Sequence, residues 1–290
     1  MRYISGLIAI WALLVSCNSR SDHPGKPVIG VSILPEQYFI ERIAGDLAEV
    51  LVMIPPGASP ATYEPTIGQL GKLSSASAYL RIGYVEFEMS WMEKITAANP
   101  DMRIADLSRG IPMIHGNGSE NHEHPGHSHS GVDPHIWMSL LNARIIAKNI
   151  TEELVLQFPD HQDQIVHNLN RLLADIDSLH LQTTEMLAPY QSRGFMIYHP
   201  ALTYFARDYN LIQYPLEMEG KTPSPAHMKK MVDLGLEEQI SAIFIQQQFD
   251  RRNAEVLAAE IGADIIQIDP LSAEWFAQME YIANQLKLSF

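Results

Sequence analysis

The segment VIGVSILPEQYFIERIAGD, from Val28 to Asp46, contains the strand–helix pattern on which the fold prediction depends. The β-branched run from Val28 to Ile33 is typical of a buried strand, and Glu36 to Ala44 has the spacing of a helix. Gly45 follows directly, and glycine suits the left-handed conformation at a helix end. We therefore predict a strand, a helix and then a second strand from Glu49 to Ile54.

The same alternation of strand and helix patterns continues along the chain and predicts two α/β regions. Further strands are predicted at Ala78 to Ile82, Gly194 to Tyr198, Ser241 to Ile245 and Asp264 to Ile268. Further helices are predicted at Thr66 to Ser75, Ala201 to Tyr209, Pro225 to Gly235 and Arg252 to Gly262. Alternation of this kind is typical of mainly parallel sheets covered by helices.

Two long helical patterns, Ser139 to Phe158 and His161 to Leu187, separate the two regions. The second helix would be about 40 Å long, at a rise of about 1.5 Å per residue. We therefore predict an α/β fold of two lobes, each a mainly parallel sheet flanked by helices, joined by this long rigid helix. The predicted lobes are residues 27–160, which include a histidine-rich loop at 115–131, and residues 188–290.

The amino terminus predicts the compartment. Residues 1–17 combine a positive charge at Arg2, an apolar run from Ile4 to Val15, and the motif LVSC that ends at Cys17. The run is too short for a mature membrane span and is typical of a signal segment, and the motif resembles a bacterial lipobox. We expect a cell-envelope protein, periplasmic or at the cell surface, with a lipid anchor on Cys17 and a tether at 18–26. An ordinary signal peptide is the alternative.

The composition excludes several classes of function. A formal net charge of −14 argues against a nucleic-acid partner, which normally requires a basic face. Cys17 is the single cysteine, so neither an internal disulfide nor a cysteine nucleophile is expected in the mature chain. The sequence also contains no Gly-x-Ser-x-Gly, no His-Glu-x-x-His and no phosphate-binding glycine loop. We predict that the protein is not an enzyme.

Three side chains are candidates for binding a divalent metal. His199 and Asp269 each directly follow a predicted strand, and open α/β sheets bind ligands beyond the carboxyl ends of their strands. His135 follows Asp133 and Pro134 near the start of a predicted helix. Two imidazoles and a carboxylate suit Zn²⁺, whereas Mn²⁺ favours more oxygen ligands. Taken singly, each candidate is also compatible with a turn or a helix cap.

The stretch 115–131 has no apolar periodicity and is rich in histidine, which indicates a loop. His122, His124, His127 and His129 lie within eight residues and can bind zinc or copper with modest affinity. A solvated linker and a pH-responsive loop are the alternatives. We interpret this loop as a collector of metal.

Six ordered segments carry a resemblance to a known family. They are ILPEQYFIERIAGD (33–46), IPPGASPATYEPT (54–66), DPHIWMS (133–139), YHPALTYFARDYNL (198–211), EGKTPSP (219–225) and AEIGADIIQIDPL (259–271). Together they resemble the cluster 9 family, the zinc- and manganese-binding solute-binding proteins of bacterial ABC importers. The resemblance implies two α/β lobes with the metal bound between them, and an ABC membrane permease as partner.

The resemblance also implies roles for individual residues. His135, His199 and Asp269 match the family's second, third and fourth metal ligands, and a histidine at position 199 is the zinc-type residue. The first ligand of the family is a histidine, but this chain has Ala61 there, and alanine cannot bind a metal. The missing ligand would be a water molecule or one of the following residues: Glu64, His115, His122, His124, His127 or His129.

These observations lead to one main expectation and several alternatives. We expect a monomer that captures Zn²⁺, with Mn²⁺ or another divalent cation as alternatives, and delivers it to an ABC importer. Ala61 favours a second hypothesis, a weaker periplasmic metal chaperone or a scaffold that lacks tight metal binding. An open coordination position would also suit a zinc-dependent hydrolase, and a lipid-anchored chain is compatible with an adhesin. Gln246, where many members of the family have an acidic residue, is a smaller departure.

Overall fold

The computed structural model describes residues 25–115, 131–217 and 222–290, which form two parallel sheets of four strands each. The first sheet, in the order β2-β1-β3-β4, contains β1 (Val28–Val31), β2 (Glu49–Val52), β3 (Ala78–Arg81) and β4 (Arg103–Asp106). The second, in the order β6-β5-β7-β8, contains β5 (Gly194–Ile197), β6 (Ile212–Pro215), β7 (Ala242–Gln246) and β8 (Asp264–Ile268). Because the strands of each sheet are parallel, their carboxyl ends lie at one edge.

Helices cover the first sheet. They are α1 (Leu34–Ala44), α2 (Ile67–Leu73), α3 (Glu86–Ala98) and α4 (Leu140–Gln157). Helix α1 begins earlier than the sequence pattern predicts, because Pro35 is compatible with a first turn and the Glu36 carboxylate accepts a hydrogen bond from the backbone N–H of Ile33. The helix ends at Ala44, and the capping residue Gly45 has a φ of 61°.

A long helix, α5 (Gln162–Leu187), joins the two lobes. A single 3₁₀ turn lies at each of its ends, at Pro159–His161 and Ala188–Tyr190. Its buried side chains follow a helical spacing and form one stripe: Ile165, Leu172, Ile176, Leu179, Thr183 and Leu187. The predicted fold of two parallel-sheet lobes with a long joining helix is confirmed. The lobe boundaries given above stay a prediction.

The helices around the second sheet include one that also contacts the first lobe. They are α6 (Thr203–Asp208), α7 (Pro225–Glu237), α8 (Arg252–Ile261) and α9 (Trp275–Leu288). The buried ring of Trp275 at the start of α9 lies 4.7 Å from the ring of Phe39 in α1, measured between centroids. Buried apolar contacts therefore run continuously from one lobe to the other.

Four elements are absent from the sequence prediction: α3, β4, β6 and α9. The edge strands RIAD (Arg103–Asp106) and IQYP (Ile212–Pro215) are only partly buried, so their sequences lack an apolar run. Helix α9 has its apolar face against α5, which only the tertiary structure reveals. In the part of the chain that the structure describes, no helix combines the length and apolar character needed to cross a membrane.

Candidate metal centre

His199 lies at the carboxyl edge of the second sheet, two residues after the end of β5. The strand pairing reaches Tyr198, whose backbone N–H donates to the carbonyl of Phe244 at 2.8 Å. Pro200 follows His199 and disfavours a helical backbone at the residue before it. The ring of His199 stacks on Phe249, with centroids 5.2 Å apart and planes inclined by 21°. The histidine is therefore held at the strand end with one ring face covered.

His135 comes from the other lobe, immediately before a 3₁₀ turn at Ile136–Met138. Its local structure depends on Asp133, whose Oδ1 accepts hydrogen bonds from the backbone N–H of His135 at 2.9 Å and from its Nδ1 at 2.8 Å. Tyr204 holds the same segment by donating its hydroxyl hydrogen to the backbone carbonyl of Asp133 at 2.9 Å. The side chain of His135 is 13% exposed.

The two predicted histidines meet. The Nε2 atoms of His135 and His199 are 3.2 Å apart. On the far side of each ring, Nδ1 faces a carboxylate: Asp133 for His135, and Glu217 for His199 at 2.7 Å. Because a carboxylate is an acceptor, this pairing assigns the hydrogen to each Nδ1 and leaves Nε2 available for a metal ion.

The pKa values of Asp133 and Asp269 are shifted in opposite directions. Burial tends to raise the pKa of Asp133, but the positive charge of His135 and hydrogen bonds from His135 and Thr203 together lower that pKa below its ordinary value. Burial raises the pKa of Asp269, and the N–H of Leu271 only partly offsets this effect. Asp133 is therefore the better stabilised anion of the two.

Asp269 directly follows β8, as the sequence predicts, and its carboxylate accepts a hydrogen bond from the N–H of Leu271 at 3.1 Å. It lines a narrow pocket between the lobes with Ile33, Ile54 and Gly57 of the first lobe. Within the described residues, no three His, Cys, Asp or Glu side chains are grouped closely enough to hold a metal ion. The structure thus brings His135 and His199 together without Asp269, whose assignment as a ligand stays a prediction.

Two tryptophans connect the segments that carry His135 and Asp269. The indole N–H of Trp137 donates to the carbonyl of Pro270 at 2.8 Å, and the indole N–H of Trp275 donates to the carbonyl of Trp137 at 2.9 Å. The three residues that form these bonds are buried. The segments that carry the two candidate ligands are therefore linked across the cleft by hydrogen bonds within the protein interior.

The remaining candidates have less informative positions. Ala61 and Glu64 are exposed on the loop that follows β2, and His115 is exposed and forms a β-bridge with Val132. Four loop histidines and the lipidation candidate lie outside the described residues: His122, His124, His127, His129 and Cys17. Their predicted roles stay predictions.

Sequence reasoning missed Glu217, which is buried at 5% exposure and bound to His199. It lies eighteen residues after His199 in the sequence, just beyond the end of β6. The one available signal was an acidic residue at the carboxyl end of a strand, and β6 itself was not predicted.

Comparisons with known proteins agree with this architecture. The family model described as "Zinc-uptake complex component A periplasmic" matches residues 29–288. The "Zinc-binding lipoprotein AdcA" of Streptococcus pneumoniae is 26% identical over 284 residues, which cover 94% of this chain and 56% of that protein. The chain therefore spans about half the length of this relative.

Two further relatives match over most of their length. The "High-affinity zinc uptake system protein ZnuA" of Bacillus subtilis is 28% identical over 279 residues, which cover 89% of this chain and 86% of that protein. A solved structure described as a ZnuA deletion mutant with zinc bound is 39% identical, with a TM-score of 0.82, and the match covers 91% of this chain and 97% of that one. These findings confirm the resemblance to a zinc-type solute-binding protein.

Proposed function

Because this chain belongs to the family of periplasmic zinc-uptake components, we propose that it captures Zn²⁺ outside the cytoplasm and delivers it to the membrane permease of an ABC importer. The observation that carries the proposal is the pair of imidazoles from opposite lobes, His135 and His199. Relatives described as zinc-binding and zinc-uptake proteins support the same cargo.

The separation of the two imidazoles suits a single zinc ion. Zinc binds imidazole nitrogen at about 2.0–2.1 Å, so two nitrogens at a tetrahedral angle are about 3.3 Å apart. The Nε2 atoms of His135 and His199 are 3.2 Å apart. The spacing of the two rings therefore suits joint binding of one zinc ion.

The carboxylates behind the two rings also favour binding of a cation. Asp133 and Glu217 fix the ring orientations and place two negative charges near the bound cation. Asp269 would be the third ligand, after a small movement of the walls of the pocket that it lines. The fourth position would be filled by water, by Glu64 or by a histidine of the loop.

The proposed protein acts at the membrane surface and catalyses no reaction. A lipid on Cys17 would hold a monomer at the membrane surface beside the permease. A hydrolase would need a free base next to a zinc-bound water, whereas Asp133 and Glu217 are each already bound to a ligand histidine. The adhesin role stays a hypothesis.

Weak binding by a chaperone or scaffold is the second candidate function. Ala61 cannot supply the ligand expected at its position, and Asp269 does not join the two histidines among the residues described. Such a protein would bind zinc through two imidazoles only, with a correspondingly lower affinity.

Zinc titration against a competing chelator separates these two functions. The chain lacking residues 1–17 should bind one zinc tightly, and His135→Ala, His199→Ala and Asp269→Ala should each abolish the tight site. His161→Ala is the matched control, because this histidine is exposed at the start of the joining helix. Deleting 116–130 tests whether the loop supplies the fourth ligand. Only weak, multiple binding by the intact chain would favour the chaperone.

A further inference from the structure

Gln246, the last residue of β7, binds the backbone of His199 through its side chain. Its Oε1 accepts from the backbone N–H of His199 at 3.3 Å, and its Nε2 donates to the carbonyl of the same residue at 2.8 Å. Gln246 is 3% exposed, so water does not compete for these bonds.

This contact continues the sheet by one residue. Backbone pairing between β5 and β7 reaches Tyr198, which donates to the carbonyl of Phe244. At His199, the amide of Gln246 presents one donor and one acceptor, as a neighbouring peptide group would. A carboxylate or an apolar side chain could not provide both. The backbone of His199 is therefore held beyond the end of its own strand.

The main chain of Gln246 faces the other candidate ligand of this lobe. Gln246 pairs with Ile268 of β8, and Asp269 is the next residue. In the same turn, the N–H of Phe249 donates to the carbonyl of Gln246 at 3.2 Å, which places the Phe249 ring against His199. One buried residue thus connects the segments of His199 and Asp269.

We infer that Gln246 is a positioning residue for the metal centre, which aligns His199 with Asp269 through its side chain and main chain respectively. The inference rests on the proposed function for its effect on zinc, but its effect on His199 is independent of any metal. The amide, rather than the volume of the side chain, is the feature that matters.

Two variants of the full chain and one control distinguish a positioning role of Gln246 from a general contribution to the stability of the fold. Gln246→Met keeps a similar volume and removes both hydrogen bonds, whereas Gln246→Glu keeps the acceptor for the His199 N–H and loses the donor. Asn99→Leu is the matched control. Asn99 donates its side-chain N–H groups to the carbonyls of Leu73 and Ala76, before the amino end of β3.

Two readouts are needed: the ring nitrogen resonances of His199 in the metal-free protein, and zinc affinity by chelator competition. We expect Gln246→Met to shift or broaden the His199 resonances and to weaken zinc binding about tenfold or more, as losses of supporting hydrogen bonds do at other metal sites. Gln246→Glu should be intermediate, and Asn99→Leu should lower the Tm with neither effect.

Unchanged His199 resonances in Gln246→Met would overturn the inference, as would an equal change in Asn99→Leu. Altered resonances without loss of affinity, in a chain that binds zinc tightly, would also overturn it. Altered resonances in a chain whose wild type binds no zinc would refute the proposed function and leave the positioning of His199 supported.

Discussion

The Nε2 atoms of His135 and His199 lie 3.2 Å apart, and behind each ring the Nδ1 atom faces a carboxylate, Asp133 for His135 and Glu217 for His199. Because each carboxylate accepts the hydrogen of its Nδ1, the lone pairs of both Nε2 atoms point into the space between the rings. The two rings therefore present their ligand nitrogens to one another across the lobes, where we propose that zinc binds.

Zinc affinity is expected to fall as the pH is lowered. The ion and protons compete for the same two Nε2 lone pairs, because zinc binds only an imidazole nitrogen that carries no hydrogen. Chelator competition at several values between about pH 5 and pH 8 measures this dependence. The His135→Ala, His199→Ala double variant is the control, and any residual binding should lack the pH dependence of this site. A wild-type affinity that does not change over this range would contradict binding through the two imidazoles.

Replacing Glu217 by glutamine tests the buried charge behind His199. The amide oxygen can still accept from Nδ1, so the ring should stay in place while the negative charge is lost. We expect zinc affinity to fall about 10- to 100-fold, the usual effect of altering a residue that supports a metal ligand. Glu237→Gln, at an exposed position on α7, is the control and should leave the affinity unchanged. An unaltered affinity in Glu217→Gln would mean that the ring orientation alone matters.

The sequence predicts the ligand candidates better than it predicts their supports. His199 and Asp269 follow strands whose apolar runs are visible in the sequence, and parallel strands place their carboxyl ends at one edge. Glu217 and Gln246 contact His199 from 18 and 47 residues away, at ends of strands whose order in the sheet the sequence does not give. Their roles depend on tertiary contacts, and no local pattern distinguishes them from other polar residues.

Trp137→Phe should weaken the connection between the lobes. The change removes the indole donor and leaves the buried carbonyl of Pro270 without that hydrogen bond. We expect the free energy of unfolding to fall by about 1–3 kcal/mol, the usual cost of an unsatisfied buried polar group, and zinc affinity to fall as well. Trp91→Phe is the control, because Trp91 lies on α3 at a half-buried position. Denaturant unfolding measures the first effect; equal losses in both variants would contradict a specific role for Trp137.

Ala61→His should strengthen zinc binding. Ala61 is exposed on the loop after β2, and residues 54–57 of the same segment line the pocket that contains Asp269. A fourth protein ligand would replace a water molecule or a ligand from the histidine-rich loop, so we expect at least a tenfold gain in affinity, or about 1.4 kcal/mol. Thr62→His adds an imidazole at the adjacent exposed position and should give no gain. Equal effects of the two variants would indicate non-specific binding by added histidines.

A buried pair of carboxyl groups lies beneath the first-lobe side of the cleft, and both Glu36 and Glu88 are only 1% exposed. The carboxylate of Glu88 is stabilised within the protein, since it accepts hydrogen bonds from the Ser32 hydroxyl and from the backbone N–H groups of Ile82 and Gly83. Glu36 accepts from the N–H groups of Ser32 and Ile33 through one oxygen, while its other oxygen has no partner among the described residues. This asymmetry makes Glu36 the carboxyl group whose negative charge is the less well stabilised of the two.

The pair should make the protein less stable as the pH rises. Burial, with the charge of Glu88, raises the pKa of Glu36 well above 4.5, and burial raises the pKa of Glu88 to about 7. The folded state therefore binds more protons than the unfolded state above pH 4.5. The free energy of unfolding is greatest below that pH and is lost as the pH rises through about 7, by up to about 1.4 kcal/mol per pH unit for each proton.

Glu36→Gln keeps an acceptor for both backbone N–H groups and removes one titrating group, so the stability of this variant should fall less between about pH 5 and pH 8. Glu49→Gln, at an exposed position, should follow the wild type. Denaturant unfolding across this range measures the slopes, and parallel curves for all three proteins would show that the Glu36 proton does not contribute.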